Sequence, residues 1–445
     1  MRRMSASGEA AVARTAALFD APAAALEGVA REHTRQMATG LVGEPSSLKM
    51  LQTFTRQPSG RERGRVVVVD WGGTNARAGL LELDGAGSVR SLAEEVHPFE
   101  SALKRGAAEP VFDLLAAAVS RLLRAQGVKS APLAFVYSYP ARLERIDRAM
   151  ALALTKGWRL SGLEGQDVVA LLDAALRRAG VEGVAVTAVA NDPVAALMLQ
   201  SYRARGRDAA AHGADVGLIL GTGTNQAADL GPAGIRNLES GNFDGVAPLE
   251  TPYDAALDRE LDEPHPGAQR FEKMVSGQYL GEILRRVLQD LARQTPWFRW
   301  RGAPALGVTF GLDSALLARI AADRTAILDD VDALLRGLGV ESSPAERRGV
   351  RVLAAAITRR AARLVAAALL GTLRFLDPRL GGRRTIAVDG SLWGGYPGFA
   401  QLVAETLVEL VGAEAAGRIE MVFVKDSTSA GAAVIAAVAA GREGA

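Results

Sequence analysis

Short, strongly apolar runs alternate with longer amphipathic stretches along most of this chain. The runs Val66–Val69, Leu133–Tyr137, Val184–Val189, Arg384–Val388 and Glu420–Val424 have the length and β-branched content of strands. A returning strand through Leu80–Leu83 and a strand pair over Val216–Ala228 extend the set. Between Glu9 and Leu41 the residues Leu18, Leu26, Val29 and Met37 recur at helical spacing, which predicts one or two amphipathic helices. Further helices are expected at Val111–Gln126, Gln166–Ala179, Gln269–Arg293 and Arg348–Leu376, after Asn191-Asp192-Pro193, and in the Ala-rich C-terminal stretch. Pro, Ser and Gly between Gly43 and Gly64 mark a loop. Strands alternating with helices predict an α/β protein. Two such halves, each opening on a glycine-turn hairpin, predict a duplicated scaffold with a cleft between them.

Composition narrows this only slightly. At 445 residues, 49% hydrophobic and 23% charged, the chain has room for two or three domains with cores of their own. A net charge of +2 calls for no nucleic-acid or anionic-membrane partner. With no cysteine, disulfides, thiolate catalysis and cysteine-bound metal are excluded, and a cytoplasmic location is expected. No apolar run follows Met1-Arg2-Arg3-Met4 to make a signal peptide, and Leu364–Leu373 and Gly431–Ala440 are too short to span a bilayer. Lysine is scarce, which draws attention to Lys156 and Lys273.

The chemistry concentrates in the two hairpins. Asp70-Trp71-Gly72-Gly73-Thr74-Asn75 and Gly221-Thr222-Gly223-Thr224-Asn225 each end an apolar strand in a turn that can aim amide N–H groups and hydroxyls at an anion. Either alone is better explained as a tight turn; the pair suggests two jaws on a polyphosphate, hence a nucleotide-dependent phosphotransferase. Asp70, at the end of its strand, suits water-mediated contact with Mg²⁺. No Walker-type loop occurs. Asn191-Asp192 joins a strand to a helix, where a carboxylate can act as a general base, although a helix N-cap explains the pair better by itself. Thr155-Lys156-Gly157 offers a hydroxyl and an ammonium, or simply a surface turn. Glu239 and Glu272 can accept hydrogen bonds from sugar hydroxyls; Glu272 can equally be a solvent-facing residue in a first helical turn. His33, His97, His212 and His265 lack metal-ligand spacing.

In order along the chain, Lys49-Met50-Leu51-Gln52-Thr53-Phe54, Pro58-x-Gly60-x-Glu62-x-Gly64, the first hairpin, Ser138-Tyr139-Pro140, Leu154-Thr155-Lys156-Gly157-Trp158, Asn191-Asp192, the second hairpin, Asn237-x-Glu239, Pro266-Gly267-x-Gln269-x-Phe271-Glu272-Lys273-Met274, Asp389-Gly390-Ser391 and Gly431-Ala432-Ala433 resemble the hexokinase family in its eukaryotic-type branch. The resemblance covers nearly everything from Met37 onward. It implies an actin-like, ribonuclease H-like two-domain ATPase fold with a central cleft, and transfer of phosphate from MgATP to O6 of a hexose, most readily glucose. It implies N-terminal helices and a connector over 1–63 packed on the large domain, a small domain over 64–200 that regains the helix 428–445, and a large domain over 201–427. By the same resemblance Ser138, Thr155, Lys156, Asn191, Asp192, Asn225, Glu239 and Glu272 would contact the sugar, with Asp192 as base and Lys156 stabilising developing charge. Gly72, Gly73, Thr74, Asn75, Gly221, Thr222, Gly223, Ser314, Gly390 and Ser391 would hold ATP, and Asp70 the metal.

Several positions depart from the family pattern. Tyr139 stands for Phe, Pro193 for Thr, Ser240 for Trp and Asn242 for Ala, while Ser314 and Ala318 replace a threonine and a serine of the adenosine site. Sugar and nucleotide preference are therefore left open, as is the choice between monomer and homodimer. A regulatory sugar sensor that keeps the fold is the rival reading, and intact Asp70, Lys156 and Asp192 favour the enzyme. An actin-like or chaperone-type ATPase would lack the sugar carboxylates.

Overall fold

The computed structural model describes residues 2–152, 154, 158–261, 265–295, 297 and 304–441. Helices α1 (Arg2–Ala17) and α2 (Ala23–Leu41) precede the short strand β1 (Leu51–Gln52). The first α/β unit comprises β2 (Arg63–Trp71), β3 (Asn75–Asp84), β4 (Val89–Pro98), β5 (Arg105–Ala107), α3 (Glu109–Gln126), β6 (Ala131–Tyr137), β7 (Ala141–Arg145), β8 (Arg148–Ala151), β9 (Arg159–Ser161), α4 (Val168–Arg178), β10 (Val184–Ala190) and α5 (Asp192–Arg207). The second comprises β11 (Val216–Leu220), β12 (Thr224–Asp229), β13 (Ile235–Asn237), α6 (Pro252–Glu260), α7 (Arg270–Val275), α8 (Gly277–Gln294), α9 (Pro304–Gly307), α10 (Ser314–Ala322), α11 (Asp329–Gly337), α12 (Pro344–Leu376), β14 (Arg384–Asp389), α13 (Ser391–Gly395), α14 (Phe399–Ala416), β15 (Ile419–Phe423) and α15 (Ser427–Ala439).

Two sheets result. A five-stranded sheet runs β10-β6-β2-β3-β4, and a six-stranded sheet runs β1-β13-β12-β11-β14-β15. Every residue of β6 is buried, as expected of a parallel strand covered on both faces. Helices α3 and α4 lie against the five-stranded sheet together with α15, while α5 lies on β11, β12 and β14 of the other sheet. α5 and α15 pack on each other and so form the layer between the sheets. Their approach is close: a methyl group at Gly431 would come within 2.0 Å of the Ala195 carbonyl oxygen, which is why the helix carries glycine there.

The 33-residue α12 is the axis of the larger core. It starts on a capping box between Ser343 and Glu346, a full turn earlier than its apolar periodicity indicates. It is tied to its neighbours by charge: Arg360 reaches Asp254 at 2.5 and 2.8 Å with both side chains buried, and Arg374 reaches Glu27 of α2 at 2.6 and 2.9 Å. The edge strand β4 and the helices α10, α11 and α14 have no clear counterpart in the sequence pattern. The expected single helix over 269–293 is two, α7 and α8, separated at Ser276 (φ −89°, ψ 156°).

Candidate active site

Strand register brings three of the predicted segments to one edge of the five-stranded sheet. Asp70 on β2 and Ala190 on β10 both pair with Val136 on the parallel strand β6. The residues just beyond these positions therefore emerge side by side: Trp71-Gly72, Ser138-Tyr139 and Asn191-Asp192. In parallel α/β sheets this carboxyl edge is where ligands bind. Asn191 occupies the N-cap position of α5 yet makes no side-chain capping bond (φ −120°, ψ 146°). The capping explanation of Asn191-Asp192 thus lacks its defining contact. Pro193 is buried in the first turn, where a missing N–H costs nothing, and leaves the Asn-Asp pair in place.

The first hairpin turns over Gly72, Gly73 and Thr74, closed by the Gly72 N–H donating to Asn75 O at 3.1 Å. All three turn carbonyls accept hydrogen bonds. The Tyr139 hydroxyl donates to Gly72 O at 2.8 Å, Trp158 Nε1 to Gly73 O at 3.3 Å, and the Phe99 N–H to Thr74 O at 2.9 Å. The Gly73 and Thr74 amides donate to nothing among the described residues. Asp70 stands at the root of this turn, where a carboxylate suits a hydrated Mg²⁺ carried with phosphates. Among the described residues no group of three or more His, Asp or Glu is placed to hold a metal unaided.

The second hairpin, between β11 and β12, closes through the Gly221 N–H to Gly223 O at 3.0 Å. It is gripped by the α7–α8 break: the Gly277 N–H donates to Gly221 O at 2.7 Å and Gln278 N–H to Thr222 O at 3.1 Å. These two bonds need backbone donors that a continuous helix would have spent internally, so the docked hairpin is the reason the expected single helix is interrupted. Only glycine fits at 277, because a methyl there would sit 2.8 Å from the Gly221 carbonyl oxygen and 3.0 Å from Ser314 Oγ. Ser314, at the start of α10, is thereby placed beside the hairpin. The parallel pairing of Ile219 with Asp389 brings Gly390 and Ser391 to the same edge.

Carboxylates line the side of this jaw that faces β13. Glu272 Oε2 accepts from the Thr224 N–H at 2.8 Å, so Glu272 points into the hairpin rather than into solvent. Asn225 Nδ2 donates to Asn237 Oδ1 at 2.9 Å, and Asn237 Nδ2 donates to Glu239 Oε1 at 2.7 Å. Asn225 Oδ1 accepts from Gln226 N–H and Ser240 N–H at 2.7 and 3.0 Å. Glu239 and Gln269 both adopt left-handed backbone (φ 53°), a conformation non-glycine residues hold only where the surroundings impose it. Glu239 and Asn237 line one cavity with Asn191 and Tyr137 of the opposite sheet. Asn237 was named from sequence only as part of the Asn237-x-Glu239 motif and given no role of its own. Thr155 and Lys156 lie outside the described residues.

A family profile described as Hexokinase matches residues 215–438, and a second of the same description matches residues 11–202. The chain belongs to the hexokinase family. It is 35% identical over 451 residues to Hexokinase-3 of Oryza sativa subsp. japonica, covering 94% of this chain and 88% of that protein. It is 34% identical over 437 residues to Hexokinase-3 of Homo sapiens, covering 93% of this chain but 45% of that protein. The chain thus spans about half the length of the human relative. A solved hexokinase from Schistosoma mansoni complexed with glucose is similar across 98% of this chain and 99% of its own, with a TM-score of 0.85 and 28% identity. The two-sheet arrangement is therefore the hexokinase version of the actin-like ATPase fold. Among the described residues no helix is long and apolar enough to cross a membrane.

Proposed function

We propose that this hexokinase transfers the γ-phosphoryl group of ATP to O6 of a hexose, glucose being the first candidate, in the cytoplasm. The observation that supports the reading most is the Glu272–Thr224 hydrogen bond, which joins a sugar-side carboxylate to a glycine-threonine hairpin. Substrate and nucleotide would then share one rigid frame, as phosphoryl transfer by positioning demands. Ser138, Thr155, Lys156, Asn191, Asn225, Glu239 and Glu272 would hold the sugar hydroxyls. Asp192 would accept the 6-hydroxyl proton as the oxygen attacks, and Lys156 would offset charge building on the transferred group. Gly72, Gly73, Thr74 and Asn75 would hold the nucleotide phosphates from one side. Gly221, Thr222, Gly223, Ser314, Gly390 and Ser391 would hold the nucleotide from the other. Asp70 would hold Mg²⁺, which would neutralise charge on the phosphates. Residues 64–200 with the C-terminal helix would move as the small domain, 201–427 as the large one, and 1–63 with the latter.

The test is ADP release coupled to sugar-phosphate formation, with MgATP and glucose, fructose, mannose and N-acetylglucosamine in turn. Turnover with at least one hexose is expected. Glucose binding without turnover on any of the four would overturn the enzyme reading in favour of a sensor.

A further inference from the structure

The three carbonyls of the first hairpin each accept a hydrogen bond, and two of the donors come from the sugar-side motifs. Tyr139 directly follows Ser138, and Trp158 closes the Thr155-Lys156-Gly157 motif. Their hydrogen bonds run to consecutive carbonyls, Gly72 O and Gly73 O. A trans peptide holds its C=O and the following N–H in opposite directions. Fixing Gly72 O and Gly73 O therefore fixes the directions of the Gly73 and Thr74 N–H groups, the amides with no acceptor among the described residues. The two donors belong to one stiff aromatic cluster. Trp71, on the hairpin's own strand, meets Tyr139 edge-on at 5.6 Å and Trp158 at 5.3 Å between ring centroids. Tyr139 and Trp158 are 5% and 2% exposed, so water is a poor substitute for either donor. Burial, with smaller contributions from Tyr137 and Asp70, pushes the Tyr139 pKa up, so its hydroxyl stays a donor throughout the physiological range.

We propose that Tyr139 and Trp158 are positioning residues that couple hexose occupancy to the nucleotide hairpin. When a hexose engages Ser138, next to Tyr139, the Tyr139 and Trp158 side chains hold the hairpin amides in the direction the phosphates need. Binding of hexose and nucleotide is then mutually reinforcing, and the reinforcement passes through two identified hydrogen bonds. The inference rests on the proposed function for the identity of the two ligands.

Tyr139→Phe removes one oxygen and keeps the ring packing, so it tests the bond rather than the fold. The measurement is the affinity for Mg²⁺ with AMP-PNP, with and without saturating glucose, by calorimetry. In the unaltered chain glucose tightens analogue binding. In Tyr139→Phe that tightening shrinks by about fivefold, the worth of one hydrogen bond, while glucose affinity measured alone stays within about twofold. Trp158→Phe is the second variant and shifts the same ratio in the same direction. A variant that keeps the full glucose effect overturns the proposal, as does an unaltered chain in which glucose leaves analogue affinity unchanged. A lowered melting temperature with an intact ratio also overturns it, because the role is then structural. Since the readout is binding, failure of hexose phosphorylation would count against the proposed function and not against the coupling.

Discussion

Asp192 and His33 show how differently two ionisable side chains can be used. Asp192 sits in the first turn of α5 beside an asparagine that makes no side-chain cap. Asp192→Ala is expected to keep hexose binding and to lower kcat by about 10²–10⁴-fold, the usual contribution of a positioned base. Near-normal kcat in a steady-state assay would remove Asp192 from that role. His33, by contrast, is fully buried on α2, edge-on to Phe243 at 4.8 Å. Burial holds its pKa down at about 3, against an ordinary value of 6.5. The folded state thus prefers the neutral ring while the unfolded chain takes up a proton. The stability this provides is complete above about pH 6.5 and drains away as pH falls toward 3, by up to about 1.4 kcal/mol per unit. Denaturant midpoints between pH 7 and 5 should fall in the native protein and flatten in His33→Leu. Equal slopes in the two would show that His33 carries none of the acid sensitivity.

The break between α7 and α8 is a tertiary feature written as a local one. Residues 269–293 read as one helix because apolar positions recur at helical spacing throughout, and Ser276-Gly277 is the one local sign of a break. The interruption exists because Gly277 and Gln278 give their N–H groups to the Gly221-Thr222 turn. Gly277→Ala should push that turn away and weaken nucleotide affinity about fivefold, one hydrogen bond's worth. Unchanged AMP-PNP binding would argue that this hairpin does not carry the nucleotide. The link between α6 and α12 is of another kind. Asp254 and Arg360 are 4% and 0% exposed in their side chains, and the Arg360 guanidinium also lies 4.9 Å from the Phe19 ring. Asp254→Ala strands a buried guanidinium and should cost about 3–5 kcal/mol in chemical denaturation. A loss below 1 kcal/mol would mean that water or another acceptor replaces the carboxylate.

Two sheets lie on either side of the α5–α15 pair, with candidate ligand groups on facing edges, and the proposed function has them close on the sugar. Asn191 and Glu239 come from different sheets and line one cavity, so a hexose touching both would draw the sheets together. Saturating glucose should slow limited proteolysis and reduce the radius of gyration in solution scattering. An unchanged digestion pattern together with an unchanged radius would argue against closure. Such closure would also keep water from taking the phosphoryl group in place of the sugar.

Much of this was legible in the residues themselves. The strands β2, β6 and β11 announced themselves through uninterrupted apolar runs, because a strand covered on both faces has no polar face to show, and β10 and β14 through shorter apolar stretches. Both hairpins were marked by glycine and threonine at strand ends, and the sugar-side residues by the order of their motifs. Edge strand β4 escaped because none of its residues is buried, so it shows neither an apolar run nor an apolar face. Glu272 was ambiguous for the opposite reason: a first-turn glutamate is ordinary, and only the neighbouring hairpin, 48 residues away, gives it an acceptor's task. Local sequence determined which segments become strands and helices and which residue types stand at their ends. Only the tertiary structure decided which ends meet, because register across β10, β6 and β2 and the close crossing of α5 and α15 depend on partners far apart in the chain.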